Sequence, residues 1–577
     1  MTRLESARWL PVALVVVVLL AAACVGEEPP PRGAPAGSPT LDEMARDIGA
    51  DIVRTLARGD YPGRSGEVLL VTKPWTVMGT WGEGIRGPGD PRTSHAVPWS
   101  YLERVPITLY GPGHVRPGVL VDRHVDVTDL APTFAALMGL SFEAPDGEPL
   151  REALVPGAAP PKVIVLFVHD GGGWNVLERW PDAWPNGARL AAGGSLFTNA
   201  TVGSAPPVTV PIHASMGTGA YPRTHGLPEI VGRLPDGSIG ELYYDRADPS
   251  LLESETVADA WDRANGNRPW VGMVGFEPWH LGMMGQGGLA GDRDVSVLWD
   301  RDEGDLGSFF TNEELYVLPG YLPGDANLAA HLDELDASDG ARDDRWRDRD
   351  LADKFRIPAN PAFVAHQGDA IRSVIEHEPL GEDDVTDLLF INLKSIDEGG
   401  HVYNMLAPEM EDTLRAQDEV VGEVAALLDE KVGAGKWVLA VTADHGQTPN
   451  PAETGGLRVD KARVEEQVEA YFGRDIVETT SPDDLYLRAD VLAEAGITAE
   501  EIGRFVATLT YEQVAPPNTD LASLPASTRQ ARVFAAALPG DYFAGLTEPE
   551  IDALGDGIYG RFGDLTSPIR VASLVAR

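Results

Sequence analysis

Cysteine is almost absent from this chain of 577 residues, in which Cys24 is the only one. A single cysteine excludes an internal disulfide bond. Basic residues are also few: 46 Lys and Arg stand against 89 Asp and Glu, and the formal net charge is −43. Nucleic-acid binding needs a basic surface, so the composition argues against that class of function. A negatively charged substrate would need local cations, which bound metal ions provide.

The N-terminus lacks an apolar stretch long enough to span a bilayer. Two arginines precede an apolar stretch from about residue 10 to residue 20, and three alanines follow it. This pattern predicts a signal peptide over residues 1–23. Cys24 comes next, as in bacterial lipoproteins, although a secreted protein with an incidental cysteine is an alternative. We expect a flexible Pro- and Gly-rich tether over residues 24–40, and a mature protein anchored by lipidated Cys24 to the outer face of the bacterial cell membrane.

Short apolar runs recur along the rest of the chain, and helical patterns such as residues 256–265 and 415–432 lie between many of them. This alternation predicts an α/β fold with a central, mostly parallel sheet flanked by helices. We interpret each run as a buried parallel strand. The runs are residues 67–72, 106–111, 162–168, 270–276, 387–393 and 436–443.

Two regions are expected to be insertions or a cap around this sheet. Residues 287–360 are rich in Asp, Arg and Gly and are predicted to run over the active face or the surface. Residues 455–577 contain one strand-like and one helix-like segment, and we assign them the same role. The catalytic domain would then extend over residues 41–577.

Potential metal ligands follow three of the predicted strands. "VIVLFVHDGGG" ends in Asp170, "DLLFINLKSIDEGGH" leads to Asp397 and His401, and "WVLAVTADHGQTP" leads to Asp444 and His445. Sites in open α/β sheets form at the carboxyl ends of strands, so these side chains should meet at one edge. An Asp and a His four residues apart can hold one metal ion, but zinc needs at least one more protein ligand.

A fourth motif, "SAPPVTVPIHASMGTGAYPRTHG", contains a candidate nucleophile. Thr209 lies between prolines, in front of small residues that begin a predicted helix. A threonine hydroxyl is a weak nucleophile, and a divalent cation would activate it as an alkoxide. The start of a helix would also favour an anion. Ser204 is the alternative nucleophile.

These motifs resemble the type I phosphodiesterase/nucleotide pyrophosphatase family of the alkaline phosphatase superfamily. The resemblance is carried by "HDGGG", "TVPIHASMGTGAYPRTHG", "DEGGH" and "ADHG" between about residues 160 and 450. It implies two bound Zn²⁺ ions and a phospho-enzyme formed on Thr209. One ion would be held by Asp170, Thr209, Asp444 and His445, and the other by Asp397, His401 and one further histidine.

That last histidine normally follows the "DHG" motif in the family, but here no histidine occurs after His445. A segment resembling the family's C-terminal piece, "SHAVPWSYLERVPITLYGPGHVRPGVLVDRHVDVTDLAPTFAALMGL", instead occupies residues 94–140. We therefore predict a circular permutation in which residues 41–150 correspond to the family's C-terminal part and His95 is the missing ligand. The alternative is that His95 is a surface-loop residue and the second metal site is degenerate.

The resemblance implies that the protein is a phosphodiesterase or nucleotide pyrophosphatase that acts on a small phosphate ester. Ile230 stands about where the diesterases have an asparagine that contacts the phosphoryl group. A phosphate monoesterase or phosphonate hydrolase therefore remains an alternative, with Lys394 binding the extra charge. His280 follows a predicted strand and is expected either to line the pocket and contact the substrate or to be a buried structural histidine. A non-catalytic surface lipoprotein is the third interpretation. A sulfatase is not favoured, because those enzymes need Cys or Ser at the nucleophile position, which is Thr209 here.

Overall fold

The computed structural model describes residues 33–79, 92–243, 247–286, 294–299 and 305–559. The predicted signal peptide and Cys24 lie outside these residues. Within the described parts of the chain, every helix is too short or too polar to cross a bilayer.

A central sheet of nine strands organises the catalytic part of the chain. Its spatial order is β7-β6-β8-β4-β9-β1-β5-β2, and β3 also pairs with β5. In chain order the strands are β1 (Arg104–Tyr110), β2 (Val119–Val121), β3 (Val125–Asp126), β4 (Val163–His169), β5 (Ser195–Thr201), β6 (Val271–Val274), β7 (Val295–Val297), β8 (Asp387–Leu393) and β9 (Trp437–Thr442).

The five strands from β7 to β9 run parallel to one another, which confirms the predicted mostly parallel sheet. The prediction of a parallel strand at residues 106–111 is wrong, because β1 pairs antiparallel with both β9 and β5. An apolar run shows that a strand is buried but carries no information about its direction. The inserted β1 therefore brings the segment before it to the carboxyl ends of the parallel strands.

Two apolar layers cover the sheet. The side chains of β4 alternate between them: Ile164, Leu166 and Val168 pack into one layer, and Val163, Val165 and Phe167 pack into the other. This alternation explains why the whole strand is apolar, since neither face reaches water. The first layer includes helices Leu130–Met138, Thr209–Thr218 and Val257–Asn265, and the second includes Pro185–Gly193, Pro361–His377 and Pro408–Leu428.

A second, antiparallel sheet joins the two ends of the described chain. It has the order Val477–Thr480, Asp484–Leu487, Val68–Thr72, Phe534–Pro539. The prediction that residues 67–72 form a parallel strand is therefore wrong, because both of its neighbours are antiparallel. The strand is apolar because both of its faces are covered by other apolar clusters.

The remaining elements surround these sheets. Small strand pairs are Val77–Gly79 with Arg458–Asp460, Val231–Arg233 with Ile239–Glu241, and Arg345–Trp346 with Arg349–Asp350. The other helices of eight or more residues are Leu41–Ile48, Ala50–Gly59, Asp325–Asp336, Ser395–Tyr403, Lys461–Phe472 and Ala499–Val506. Shorter helices are Ser100–Glu103, Trp174–Arg179, Pro222–His225, Pro451–Thr454, Ala489–Ala495, Tyr511–Val514, Ala526–Arg529, Gly540–Ala544 and Glu548–Asp552.

Candidate metal centre

The carboxyl ends of β4, β8 and β9 bring the predicted ligands together. Asp170 directly follows β4, and Asp444 and His445 follow β9. Asp397 and His401 lie one turn apart on helix Ser395–Tyr403, which begins two residues after β8. Residues four apart on a helix share one face, so both side chains point to the same place.

His95 reaches the same point from the segment before β1. Its Nε2 lies 3.3 Å from Oδ1 of Asp397, and Nε2 of His401 lies 3.3 Å from Oδ2 of the same carboxylate. The His95 ring also stacks on His445, with ring centroids 3.6 Å apart. The structure thus places His95 beside Asp397 and His401, as the permutation hypothesis requires of the third ligand.

The other ligand group surrounds Asp170. Nε2 of His445 lies 3.6 Å from Oδ1 of Asp170 and 3.3 Å from Oδ2 of Asp444. It is also 4.0 Å from Oδ1 of Asp397, so His445 stands between the two groups. The aspartates and His445 are at most 1% exposed, whereas the His401 side chain is 36% exposed.

The tautomers of the three histidines fit a metal site. Each ring has Nδ1 within 2.9 Å of a backbone carbonyl, namely that of Pro207 for His95, Thr93 for His401 and Gly446 for His445. If Nδ1 donates its hydrogen there, Nε2 keeps a lone pair that faces the carboxylates. Metal-binding histidines are typically oriented in this way.

Two buried atoms at this point are left without partners. Oδ2 of Asp444 and Nε2 of His445 have no hydrogen-bond partner among the described residues. Burial and the charge of Asp170 raise the pKa of Asp444 well above its usual value, and burial lowers the pKa of His445 to about 3. The His445 imidazole is therefore neutral, and the Asp444 carboxyl group lacks a nearby positive charge that would stabilise its ionised form. A bound cation would coordinate the imidazole and stabilise the carboxylate, so the residues fit the implied metal.

Thr209 begins helix Thr209–Thr218, and its hydroxyl lies at the metal ligands. Nζ of Lys394 is 2.9 Å from Oγ1 of Thr209, 2.9 Å from Oδ1 of Asp170 and 2.9 Å from Oδ2 of Asp397. Burial lowers the pKa of Lys394, but the surrounding aspartates outweigh burial and keep it above its usual value. Lys394 is therefore a charged group in contact with the candidate nucleophile and with both ligand groups.

A cavity of about 440 Å³ opens next to Thr209 and Lys394. One wall is apolar and aromatic, with Ile230, Trp279 and Tyr486. Residues of the 455–577 region complete the lining through Lys461 and residues 479–482. Within the described residues, the 287–360 region contributes nothing to this lining.

One expectation about an individual residue needs correction, and sequence reasoning missed three residues. His280 does not line the cavity: it is fully buried behind Asp170, with Nε2 3.1 Å from Oδ2. Sequence reasoning also missed Gln447, whose side-chain amide donates to Oδ1 of Asp397 at 2.8 Å. Asn392 and His213 were missed as well, although a polar residue inside the apolar run "DLLFINL" and a histidine one turn after Thr209 are signals for both.

Comparisons with known proteins identify the family of the chain. The family model described as "Type I phosphodiesterase / nucleotide pyrophosphatase" matches residues 164–527. A "Calcium-transporting ATPase" of Myroides odoratus is 23% identical over 397 residues, which are 59% of this chain and 72% of the relative. Alkaline phosphatase PafA of Elizabethkingia meningoseptica is 23% identical over 402 residues, 60% of this chain and 73% of the relative.

A crystal structure of wild-type alkaline phosphatase PafA aligns with a TM-score of 0.49 and 19% identity, covering 65% of this chain and 82% of that one. The family match alone covers more than half of the chain. The chain therefore belongs to the type I phosphodiesterase/nucleotide pyrophosphatase family of the alkaline phosphatase superfamily and is a phosphoester hydrolase.

Proposed function

We propose that this protein is a two-zinc phosphodiesterase or nucleotide pyrophosphatase that forms a covalent phospho-enzyme on Thr209. The observation that carries the proposal is the position of the Thr209 hydroxyl, at the metal ligands, in contact with Lys394 and at the edge of the cavity. Asp170, Asp444 and His445 would hold one ion with Thr209, and His95, Asp397 and His401 would hold the other. When bound, the ions supply Lewis acidity and positive charge for phosphoryl transfer.

The chain's own residues account for the rest of the chemistry. Oγ1 of Thr209 would give up its proton and form a bond to phosphorus while the bond from phosphorus to the leaving oxygen breaks, and that oxygen would then take up a proton. Water would next attack phosphorus while the bond from phosphorus to Oγ1 of Thr209 breaks and Oγ1 regains a proton. A diester would thus release a phosphate monoester, and a monoester would release inorganic phosphate. The Lys394 ammonium can stabilise negative charge on Oγ1 throughout, because it lies within hydrogen-bond distance and is shielded from water.

The shape of the cavity supports a diester. A diester carries a second organic group, and the wall formed by Ile230, Trp279 and Tyr486 offers it apolar and aromatic surface. A volume of about 440 Å³ is within the range of small-ligand pockets.

A phosphate monoesterase is the second candidate, and Lys394 is the observation that favours it. A monoester carries one more negative charge than a diester, and the buried Lys394 ammonium can balance it. The name of one relative, alkaline phosphatase PafA, points in the same direction.

The two candidates separate in a direct kinetic comparison. We would measure kcat/KM of the zinc-loaded protein for a nitrophenyl phosphate diester and for the matching monoester. A large preference for the diester supports the phosphodiesterase, and a preference for the monoester moves the assignment to a phosphatase. Thr209→Ala should remove turnover of both substrates while its unfolding curve stays that of the wild type. Full residual activity in that variant would refute the role of Thr209 and make Ser204 the next candidate nucleophile.

We also propose that the protein acts outside the cytoplasm, anchored through lipidated Cys24. The support is the sequence pattern of residues 1–24. Metabolic labelling with a radioactive fatty acid should mark the wild type and leave Cys24→Ser unlabelled. A membrane-bound but unlabelled wild type would contradict the anchor.

A further inference from the structure

Two buried histidines outside the proposed zinc ligands are oriented as the ligands are. Nδ1 of His213 lies 2.8 Å from the carbonyl oxygen of Thr209, and Nδ1 of His280 lies 2.7 Å from that of Glu277. Both rings are fully buried, and their centroids are 4.7 Å apart. If each Nδ1 donates to its carbonyl, each Nε2 keeps a lone pair inside the protein.

The lone pair of His280 faces Asp170, and that of His213 faces Asn392 beside it. Nε2 of His280 lies 3.1 Å from Oδ2 of Asp170, and the ligand atoms of Asp170, His213 and His280 all lie within 4.8 Å of one another. A neutral imidazole nitrogen and a carboxylate oxygen are both acceptors, so this contact is favourable only with a cation between them. The cation is either a proton on His280 or a metal ion.

The carboxylate of Asp170 has one oxygen for each side. Oδ1 faces Lys394 and His445, at 2.9 Å and 3.6 Å, which is the side of the proposed zinc centre. Oδ2 faces His280 and Asn392, at 3.1 Å and 3.0 Å. Asp170 can therefore bridge the zinc centre and a second group behind it.

Asn392 is a further polar side chain at this point. Its Nδ2 lies 3.0 Å from Oδ2 of Asp170 and 3.0 Å from Nε2 of His213, whereas Oδ1 has no hydrogen-bond partner among the described residues. Rotation of the amide by half a turn would place Oδ1 between the two ligand atoms. The side chain is fully buried, so an unsatisfied amide oxygen is unfavourable unless something binds it.

We propose that Asp170, His213, His280 and Asn392 form a third metal site behind the two-zinc centre. Two imidazoles, one carboxylate oxygen and one amide oxygen suit a transition metal such as zinc better than magnesium or calcium, which prefer all-oxygen ligands. The site depends on the proposed function only through the shared Asp170. The third ion would fix the orientation of Asp170 and add positive charge behind it.

The first test is the metal content of the purified protein, measured by inductively coupled plasma mass spectrometry after zinc loading and gel filtration. We expect about three ions per chain in the wild type and about two in His280→Ala and in His213→Ala. His225→Ala is the matched control, since His225 is equally buried but both of its ring nitrogens have hydrogen-bond partners. It should keep about three ions.

Asn392→Asp provides a second test in case His280→Ala and His213→Ala do not fold. A carboxylate in place of the amide should hold the third ion at least tenfold more tightly in competition with a chelator. If the cation is instead a proton on His280, the wild type will hold about two ions and Asn392→Asp will gain no metal affinity, and this result overturns the proposal. Failure of the two-zinc centre would look different, because His95→Ala would then lose no ion relative to the wild type.

Discussion

Lys394→Met should destabilise the metal-free protein and at the same time strengthen zinc binding. In the structure the Lys394 ammonium lies 2.9 Å from an oxygen of Asp170 and 2.9 Å from an oxygen of Asp397. It therefore supplies positive charge to both carboxylates. Removing one partner of a buried charge pair typically costs about 3–5 kcal/mol. Methionine keeps the length of the side chain, so the lost charge, rather than a cavity, should dominate the effect.

The zinc-loaded protein should respond far less. Two divalent ions supply enough positive charge for the carboxylates, so we expect a loss of about 1 kcal/mol in stability, the net value of an ordinary hydrogen bond. The difference of about 3 kcal/mol must then appear as tighter zinc binding, because the two effects belong to one thermodynamic cycle. Summed over both ions, this corresponds to roughly a 100-fold decrease in the product of the two zinc dissociation constants.

Two measurements check this cycle. Urea unfolding of chelator-treated protein gives the stability of the metal-free state, and competition with a chromophoric chelator gives the zinc affinity. Lys461→Met is the matched control, since Lys461 lines the same cavity from the cap region and is not among the partners of the site aspartates. An unchanged metal-free stability, or weaker zinc binding in Lys394→Met, would refute the role assigned to this ammonium.

Three further predictions concern other parts of the molecule. His95→Ala should lower the zinc content by about one ion per chain, and an unchanged content in elemental analysis would refute its role as a ligand. Burial raises the pKa of Asp483 from 3.8 to about 7, so the folded state binds more protons than the unfolded state and its stability falls as pH rises from about 4 to about 7. Asp483→Asn should therefore stabilise the protein by roughly 1–3 kcal/mol in urea unfolding at pH 8 and flatten this dependence, and equal stability of both proteins at pH 8 would contradict it. Gly217→Ala should destabilise by about 1–3 kcal/mol in the same assay, because a Cβ there would collide with the carbonyl oxygen of Gly282; a neutral effect would show that this helix contact can relax.

The sequence was sufficient to predict the part of the site that follows the parallel strands. Asp170, Asp397 and Asp444 each come directly after, or one turn after, an apolar run, and parallel strands necessarily end at the same edge. The structure brings these three side chains together.

The direction and sheet membership of other strands could not be predicted. Residues 104–110 and 68–72 are apolar runs like the rest, but one is antiparallel within the central sheet and the other belongs to a second sheet. Which strands pair depends on contacts between residues far apart in the chain, and local periodicity carries no information about those contacts. The same holds for the contact of Lys394 with Thr209, which joins residues 185 positions apart in the chain.

The circular permutation stays a prediction, and two features of the fold support it. The family match begins at residue 164, whereas His95 and β1 come earlier in the chain and still lie at the centre of the site and the sheet. The described ends of the chain are also neighbours: the amide of Ala50 donates to the carbonyl of Gly555 at 2.8 Å. Adjacent ends are the geometry that a change of chain order requires.

The most direct test of the catalytic proposal is to look for phosphate on Thr209 during turnover. The zinc-loaded protein would be mixed with excess substrate, quenched in acid within milliseconds and digested, and the peptide that contains residues 204–226 would be analysed by mass spectrometry. Our account predicts a phosphoryl adduct on Thr209, which keeps one organic group when the substrate is a diester, and no adduct in Thr209→Ala. Rapid turnover without any phosphopeptide, or with phosphate on Ser204, would contradict it.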